Sequence, residues 1–116
     1  MRFPILLLVL VAGLKAPPIL FAGETPADYG RFMREGISAL QEGRLDEAVG
    51  KFEDALALQP GSAAARDRLV AALTEKAHRF VQAGAREDAR KAILRALNIA
   101  PSDAGARDLL ASLETP

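Results

Sequence analysis

The chain has 116 residues, of which 50% are hydrophobic and 26% are charged, a composition that fits one small globular domain. Its 15 basic and 15 acidic residues balance, and without a sustained basic patch the sequence disfavours nucleic acid as a partner. The absence of cysteine excludes disulfides, thiolate nucleophiles and lipid-modified cysteines.

Residues 1–22 are predicted to form a secretory signal peptide. Arg2 gives a basic start, Phe3–Leu14 form an uncharged apolar run, and Ala22 is a small residue at the exit. A helix of that run would extend about 18 Å, which is shorter than the ~30 Å hydrocarbon core of a bilayer. The alternative is a retained N-terminal anchor, which would have to bury Lys15 and pass through two prolines. Cleavage predicts a periplasmic or secreted protein, whereas retention predicts a membrane-anchored protein that faces the periplasm.

A linker at residues 23–27 is predicted to lead into a first pair of helices. Apolar residues at steps of three and four run through Tyr29–Leu40 and form one stripe of a helix. Gly43 supplies the left-handed residue that ends this helix. A second apolar stripe covers Leu45–Leu56, and Pro60 stops it.

A second pair of helices and a closing helix are predicted next. Ser62 can cap a longer helix that ends at Gly84, and its partner helix carries the apolar stripe Ala89–Leu97. A last helix, capped by Ser102 or Asp103, reaches the end of the chain.

The helices repeat at a spacing of 41 residues. Gly43–Ala48 returns in pattern as Gly84–Ala89, and Ala63–Leu69 returns as Ala104–Leu110. A period of this size is typical of stacked helical units, each of which buries its apolar face against its neighbours. The sequence therefore predicts an all-α fold of a kind that usually binds other proteins.

The repeated positions resemble those of the tetratricopeptide repeat family. The matching residues are Phe32, Gly36, Gly43, Ala48, Phe52, Ala55 and Pro60 in the first unit, and Leu73, Ala77, Phe80, Gly84, Ala89, Ile93, Ala96 and Pro101 in the second. The resemblance covers residues 29–60 and 70–101. It implies two antiparallel helical hairpins and a capping helix at 103–114, wound as a right-handed superhelix in a domain spanning 28–114. The family's usual unit has about 34 residues, so the longer period is expected to lengthen the Ser62–Ala83 helix.

No catalytic, metal-binding or cofactor-binding motif is found in the sequence. His78 is the single histidine, and metal sites normally need further histidine or cysteine ligands. The acidic pairs Asp46-Glu47 and Glu87-Asp88 begin helices, where the helix dipole favours them. Four basic residues form a loose face of the fourth helix, which is either solvated or a docking surface for an acidic partner or lipid headgroup; they are Arg86, Arg90, Lys91 and Arg95. We therefore expect no enzyme, no cofactor and no metal.

The family resemblance implies a concave groove lined by the first helix of each hairpin, where a peptide or partner helix could lie. The candidate groove residues are Met33, Arg34, Ile37, Gln41, Thr74, Glu75, His78 and Gln82. An apolar centre at Met33 and Ile37 would suit a hydrophobic segment. The alternative for these two residues is contact with the long helix or with a neighbouring subunit.

These observations predict an exported adaptor that binds a peptide or helix of another cell-envelope protein. Two alternatives stay open. One is a membrane-anchored structural or oligomerisation component of an envelope assembly, and the other is an accessory regulatory subunit of an enzyme. Two repeat units are few for a stable array, so self-association could cover one end. The sequence does not indicate which protein is the partner.

Overall fold

The computed structural model describes residues 26–115, which form helices and connecting turns without a strand. The helices are α1 (Pro26–Gln41), α2 (Leu45–Leu58), α3 (Ala63–Gln82), α4 (Arg86–Ile99) and α5 (Ala104–Glu114). The predicted all-α class is confirmed for these residues. The last two residues of the predicted linker belong to α1, because a proline at the first helical position fits the helix without loss of a hydrogen bond. The predicted signal segment, residues 1–22, lies outside the described residues.

The first and third helices end in the same way, at a glycine with a positive φ. Gly43 and Gly84 both have φ of 79°, a conformation that side chains other than glycine rarely adopt. The residue after each glycine closes the turn. Its backbone N–H donates to a carbonyl five residues back, from Arg44 to Ala39 and from Ala85 to Phe80, each at 2.8 Å. The predicted glycine ends are confirmed.

Side chains cap the third and fifth helices. Ser62 Oγ accepts a hydrogen bond from the Ala65 N–H at 3.0 Å, and Asp103 Oδ2 accepts one from the Ala106 N–H at 2.9 Å. Such caps satisfy backbone donors that have no partner within the helix. Of the two candidate caps for α5, Asp103 rather than Ser102 fills the position.

Each helix packs against the next one in the chain, and α1 also contacts α3. The Tyr29 hydroxyl and Ser62 Oγ lie 2.6 Å apart and join the beginnings of α1 and α3. The largest fully buried side chains are Phe52, Leu73 and Ile93, one on each of α2, α3 and α4. The core is therefore a continuous layer between successive helices.

Small residues let these helices approach one another. Ala48 and Ala89 at the beginning of α2 and α4 are completely buried, as are the later residues Ala55 and Ala96. Their burial places them at helix contacts, where a short side chain permits a small distance between helix axes.

Gly36 in α1 faces the ring of Phe52 in α2. A Cβ atom at this glycine would lie 2.6 Å from Cε1 of the ring, closer than two carbon atoms can pack. The residues 41 positions later are Ala77 and Ile93, and both are completely buried. The first helix pair thus combines the smallest residue with an aromatic ring, whereas the second combines alanine with a branched aliphatic side chain.

None of the helices in residues 26–115 is both long and apolar enough to span a membrane.

Candidate functional site

A groove of about 360 Å³ runs along one face of α3. We call it the α3 groove. Six of its lining residues come from α3 and two from the turn between α4 and α5; they are Asp67, Val70, Ala71, Thr74, Glu75, His78, Ala100 and Asp103. The α3 residues recur at steps of three and four along the helix, so the groove follows one face of it.

The floor of the α3 groove combines apolar groups with a hydroxyl that is already hydrogen-bonded. Val70 is 4% exposed and belongs to the hydrophobic core. Thr74 Oγ1 donates to the backbone carbonyl of Val70 at 2.8 Å. Because the hydroxyl proton is donated within the helix, the methyl group of Thr74 is the part of this side chain that adds apolar surface to the floor. Ala71 and Ala100 add further short apolar side chains.

Three carboxylates also line the groove, and no lysine or arginine within residues 26–115 is among its lining residues. Asp103 is held in place by its hydrogen bond to the Ala106 N–H. Glu75 Oε1 lies 3.5 Å from Nε of Arg79, one turn further along α3, and both side chains are about half exposed. The third carboxylate, Asp67, forms no ion pair with any residue in the range 26–115. The groove is therefore acidic at its edges.

Three of the predicted groove residues line the α3 groove, namely Thr74, Glu75 and His78. Gln82 is exposed at the end of α3, beyond the groove. The four predicted residues of α1 do not line it. Arg34 and Gln41 are exposed, whereas Met33 and Ile37 are partly buried and pack against the hydrophobic core.

Sequence reasoning missed five of the lining residues. Ala71 and Val70 lie three and four residues before Thr74, and Asp67 lies one further turn back. The helical period could therefore have predicted these three residues from the position of Thr74. Ala100 and Asp103 carried none. They reach the groove because the turn between α4 and α5 folds back against α3, which only the tertiary structure shows.

A second concavity, of about 240 Å³, lies between α3 and α4. We call it the α3–α4 depression. Its lining residues are Leu73, Lys76, Phe80, Asp88, Lys91, Ala92 and Arg95. It is basic on balance, but α2 neutralises part of this charge. Lys76 Nζ lies 2.7 Å from a carboxylate oxygen of Asp46, and Arg95 pairs with Glu53.

The loose basic face predicted on α4 is largely engaged in contacts within the chain. Arg86 donates to the backbone carbonyl of Leu113, and Arg90 pairs with Glu114, so both tie α4 to α5. Arg95 pairs with α2 as described above. Of the four residues, Lys91 alone forms no ion pair or side-chain hydrogen bond within residues 26–115.

Within residues 26–115, no three histidine, aspartate or glutamate side chains are grouped closely enough to hold a metal ion. Neither a family model nor a curated protein matches the chain.

Proposed function

We propose that this chain is an exported protein-binding module that holds a peptide or helix of another cell-envelope protein. The observation that carries the proposal is the α3 groove, an open concave surface with an apolar floor and polar edges. Such a surface suits an extended or helical segment better than a small molecule, which is usually bound in an enclosed pocket.

We further propose that the two helix pairs are tetratricopeptide-like units, stacked as a right-handed superhelix with α5 as a terminal cap. Three features support this arrangement. The helices contact their neighbours in sequence order, the turns at Gly43 and Gly84 have the same geometry, and α1 and α3 meet through Tyr29 and Ser62. In such a stack the first helices of successive units line the concave side, and α3 is the first helix of the second unit.

Photo-crosslinking in intact cells tests the binding function. A photoreactive amino acid at position 71 lies in the α3 groove, where Ala71 is exposed. The matched control is position 57, because Ala57 is an exposed alanine on α2 that lines neither concavity. We expect a specific crosslinked protein from position 71 and not from position 57. Equal crosslinking at both positions would contradict the proposal.

A second variant tests occupancy of the groove directly. Ala71→Trp should fill the groove with an indole ring and abolish capture from a crosslinker placed at position 74, whereas Ala57→Trp should leave that capture unchanged. Both alanines are exposed, so neither change overpacks the core.

Export is tested by the intact mass of the protein purified from its native cells. Loss of residues 1–22 would support a cleaved signal peptide. A chain that still begins at Met1 or Arg2 would favour the membrane-anchored alternative.

A further inference from the structure

We infer that the segment bound in the α3 groove is cationic, with lysine or arginine side chains next to a short apolar stretch. This inference rests on the binding function proposed above and specifies the chemistry of the partner.

The edges of the α3 groove carry a net negative charge. Asp67, Glu75 and Asp103 line the groove without a lysine or arginine among the other lining residues. The ion pair of Glu75 with Arg79 joins two exposed side chains on one helix, and such pairs are weak. A cationic side chain entering the groove would therefore meet carboxylates that no strong internal partner neutralises.

The floor suits the long aliphatic stem of a basic side chain. Lysine and arginine commonly lay their methylene groups along apolar surface while their charged ends stay in water. Here Val70, Ala71 and Ala100 supply the apolar surface, and the three carboxylates at the edges are placed to meet the charged end. The hydrogen-bonded Thr74 hydroxyl adds no competing donor. An acidic segment would instead place like charges together, which opposes association.

The α3–α4 depression shows that the acidic character belongs to one surface and not to the whole molecule. That depression contains Lys76, Lys91 and Arg95, but α2 already supplies carboxylates to two of them, from Asp46 and Glu53. Within residues 26–115, no lysine or arginine of a neighbouring helix forms an ion pair with a carboxylate of the α3 groove. Of these two concavities, the α3 groove is therefore the one whose lining is acidic on balance.

Three synthetic amphipathic peptides with identical leucine and alanine positions can test the inference against the full chain. Their polar positions carry lysine, glutamine or glutamate, and fluorescence anisotropy measures each affinity at low and at physiological salt. We expect the lysine peptide to bind most tightly and the glutamate peptide most weakly. The preference should shrink as salt is added, because the Debye length falls to about 8 Å at physiological ionic strength.

A pair of double variants locates the effect. Asp67→Asn with Glu75→Gln removes two charges from the α3 groove, while Asp88→Asn with Glu87→Gln removes the same two charges from α4. The groove variant should bind the lysine peptide about 2–30-fold more weakly, and the α4 variant should bind it as the parent does. An equal loss in both variants would overturn the inference, because it would show only an effect of net charge.

The outcomes also separate the inference from the function on which it rests. If the glutamine or glutamate peptide binds best and Ala71→Trp blocks that binding, the groove is a peptide site but its cationic preference is wrong. If no peptide binds and no protein is crosslinked from position 71, the binding function itself is wrong.

Discussion

The first helix pair, α1 and α2, and the second, α3 and α4, share a turn geometry but differ in the side chains that meet at their centres. Each first helix ends at a glycine with φ of 79° and the same hydrogen-bond pattern. Between the helices, however, Gly36 faces Phe52 in the first pair, while Ala77 and Ile93 occupy the equivalent buried positions in the second. The same turn geometry is thus compatible with different combinations of side-chain size in the core of the helix pair.

The surface of the two pairs differs as well. In the first pair, Lys51 Nζ lies 3.1 Å from Glu35 Oε1 and bridges α1 and α2. The equivalent residues of the second pair are Lys76 and Ala92, which cannot form that bridge and instead line the α3–α4 depression. A short side chain where the first pair has a lysine leaves this part of the surface open. The difference shows how one repeated scaffold can carry unlike surfaces.

The largest expected effect comes from enlarging the alanines that both pairs share. Ala48→Leu and Ala89→Leu each place three extra carbon atoms at a completely buried helix contact. Overpacking of this kind costs about 1–3 kcal/mol in unfolding free energy, which urea unfolding followed by circular dichroism can measure. Ala57→Leu on the exposed side of α2 is the control and should change stability by less than about 0.5 kcal/mol. A variant at position 48 or 89 as stable as the parent would show that these contacts are not tightly packed.

The contrast between Gly36 with Phe52 and Ala77 with Ile93 can be tested by a double-mutant cycle. Gly36→Ala should destabilise the chain, because its new Cβ meets the fully buried Phe52 ring and the gain in helix propensity of about 1 kcal/mol offsets only part of the clash. Phe52→Ile alone should leave a void.

Combining Gly36→Ala with Phe52→Ile recreates in the first pair the residues of the second. We expect a favourable interaction energy of about 1–2 kcal/mol between the two changes. Additive losses would mean that the ring moves aside for the added methyl group, and that the two buried pairs are not alternative solutions to one packing problem.

The contact between Gly36 and Phe52 illustrates which features the sequence could predict and which it could not. Helical period and the repeat spacing predicted the helices, the glycine ends and the Ser62 cap, because these depend on residues close together in the chain or equivalent between repeats. The short distance between Gly36 and the Phe52 ring was not predictable in this way. It depends on the distance between α1 and α2, which the packing of the whole pair determines.

The candidate site was predictable only on α3. Thr74, Glu75 and His78 lie on one face of a single long helix, so their grouping follows from spacing alone. Met33 and Ile37 were assigned to the groove from the resemblance, but as apolar residues they gain more from contact with the core, where the structure places them. The acidic edge contributed by Asp103 depends on a turn that is distant in sequence.

A smaller and nearly equal effect is expected at the two turn glycines. Gly43→Ala and Gly84→Ala each put a side chain into the left-handed conformation, which costs roughly 1–2 kcal/mol. No atom obstructs a Cβ at Gly84, and the nearest atom at Gly43 is a guanidinium nitrogen of Arg79 at 3.6 Å, an ordinary contact. The losses measured by urea unfolding should therefore match. Gly61→Ala, at a glycine without a positive φ, serves as the control and should have little effect.

The smallest expected effect is a pH-dependent change in stability from the Glu35–Lys51 ion pair, which the second helix pair lacks. The hydrogen bond and charge of Lys51 lower the pKa of the Glu35 carboxyl below its ordinary value of 4.5, although partial desolvation opposes the shift. A carboxylate whose pKa is lower in the folded state stabilises the fold above its unfolded pKa, and that contribution disappears as the pH falls through the folded pKa.

Replacing Lys51 with the residue of the second pair, as Lys51→Ala, should therefore reduce Tm at pH 7 more than at pH 3. The reciprocal change in the second pair is Ala92→Lys. It places a lysine beside Lys76 and should therefore not raise Tm at pH 7 by a comparable amount. Because Glu35 and Lys51 are partly exposed, added salt should weaken the pH-dependent difference. If Lys51→Ala lowered Tm equally at both pH values, the contribution of Lys51 would be packing of its stem on Phe32, whose ring centroid lies 5.6 Å from Nζ, and not its charge.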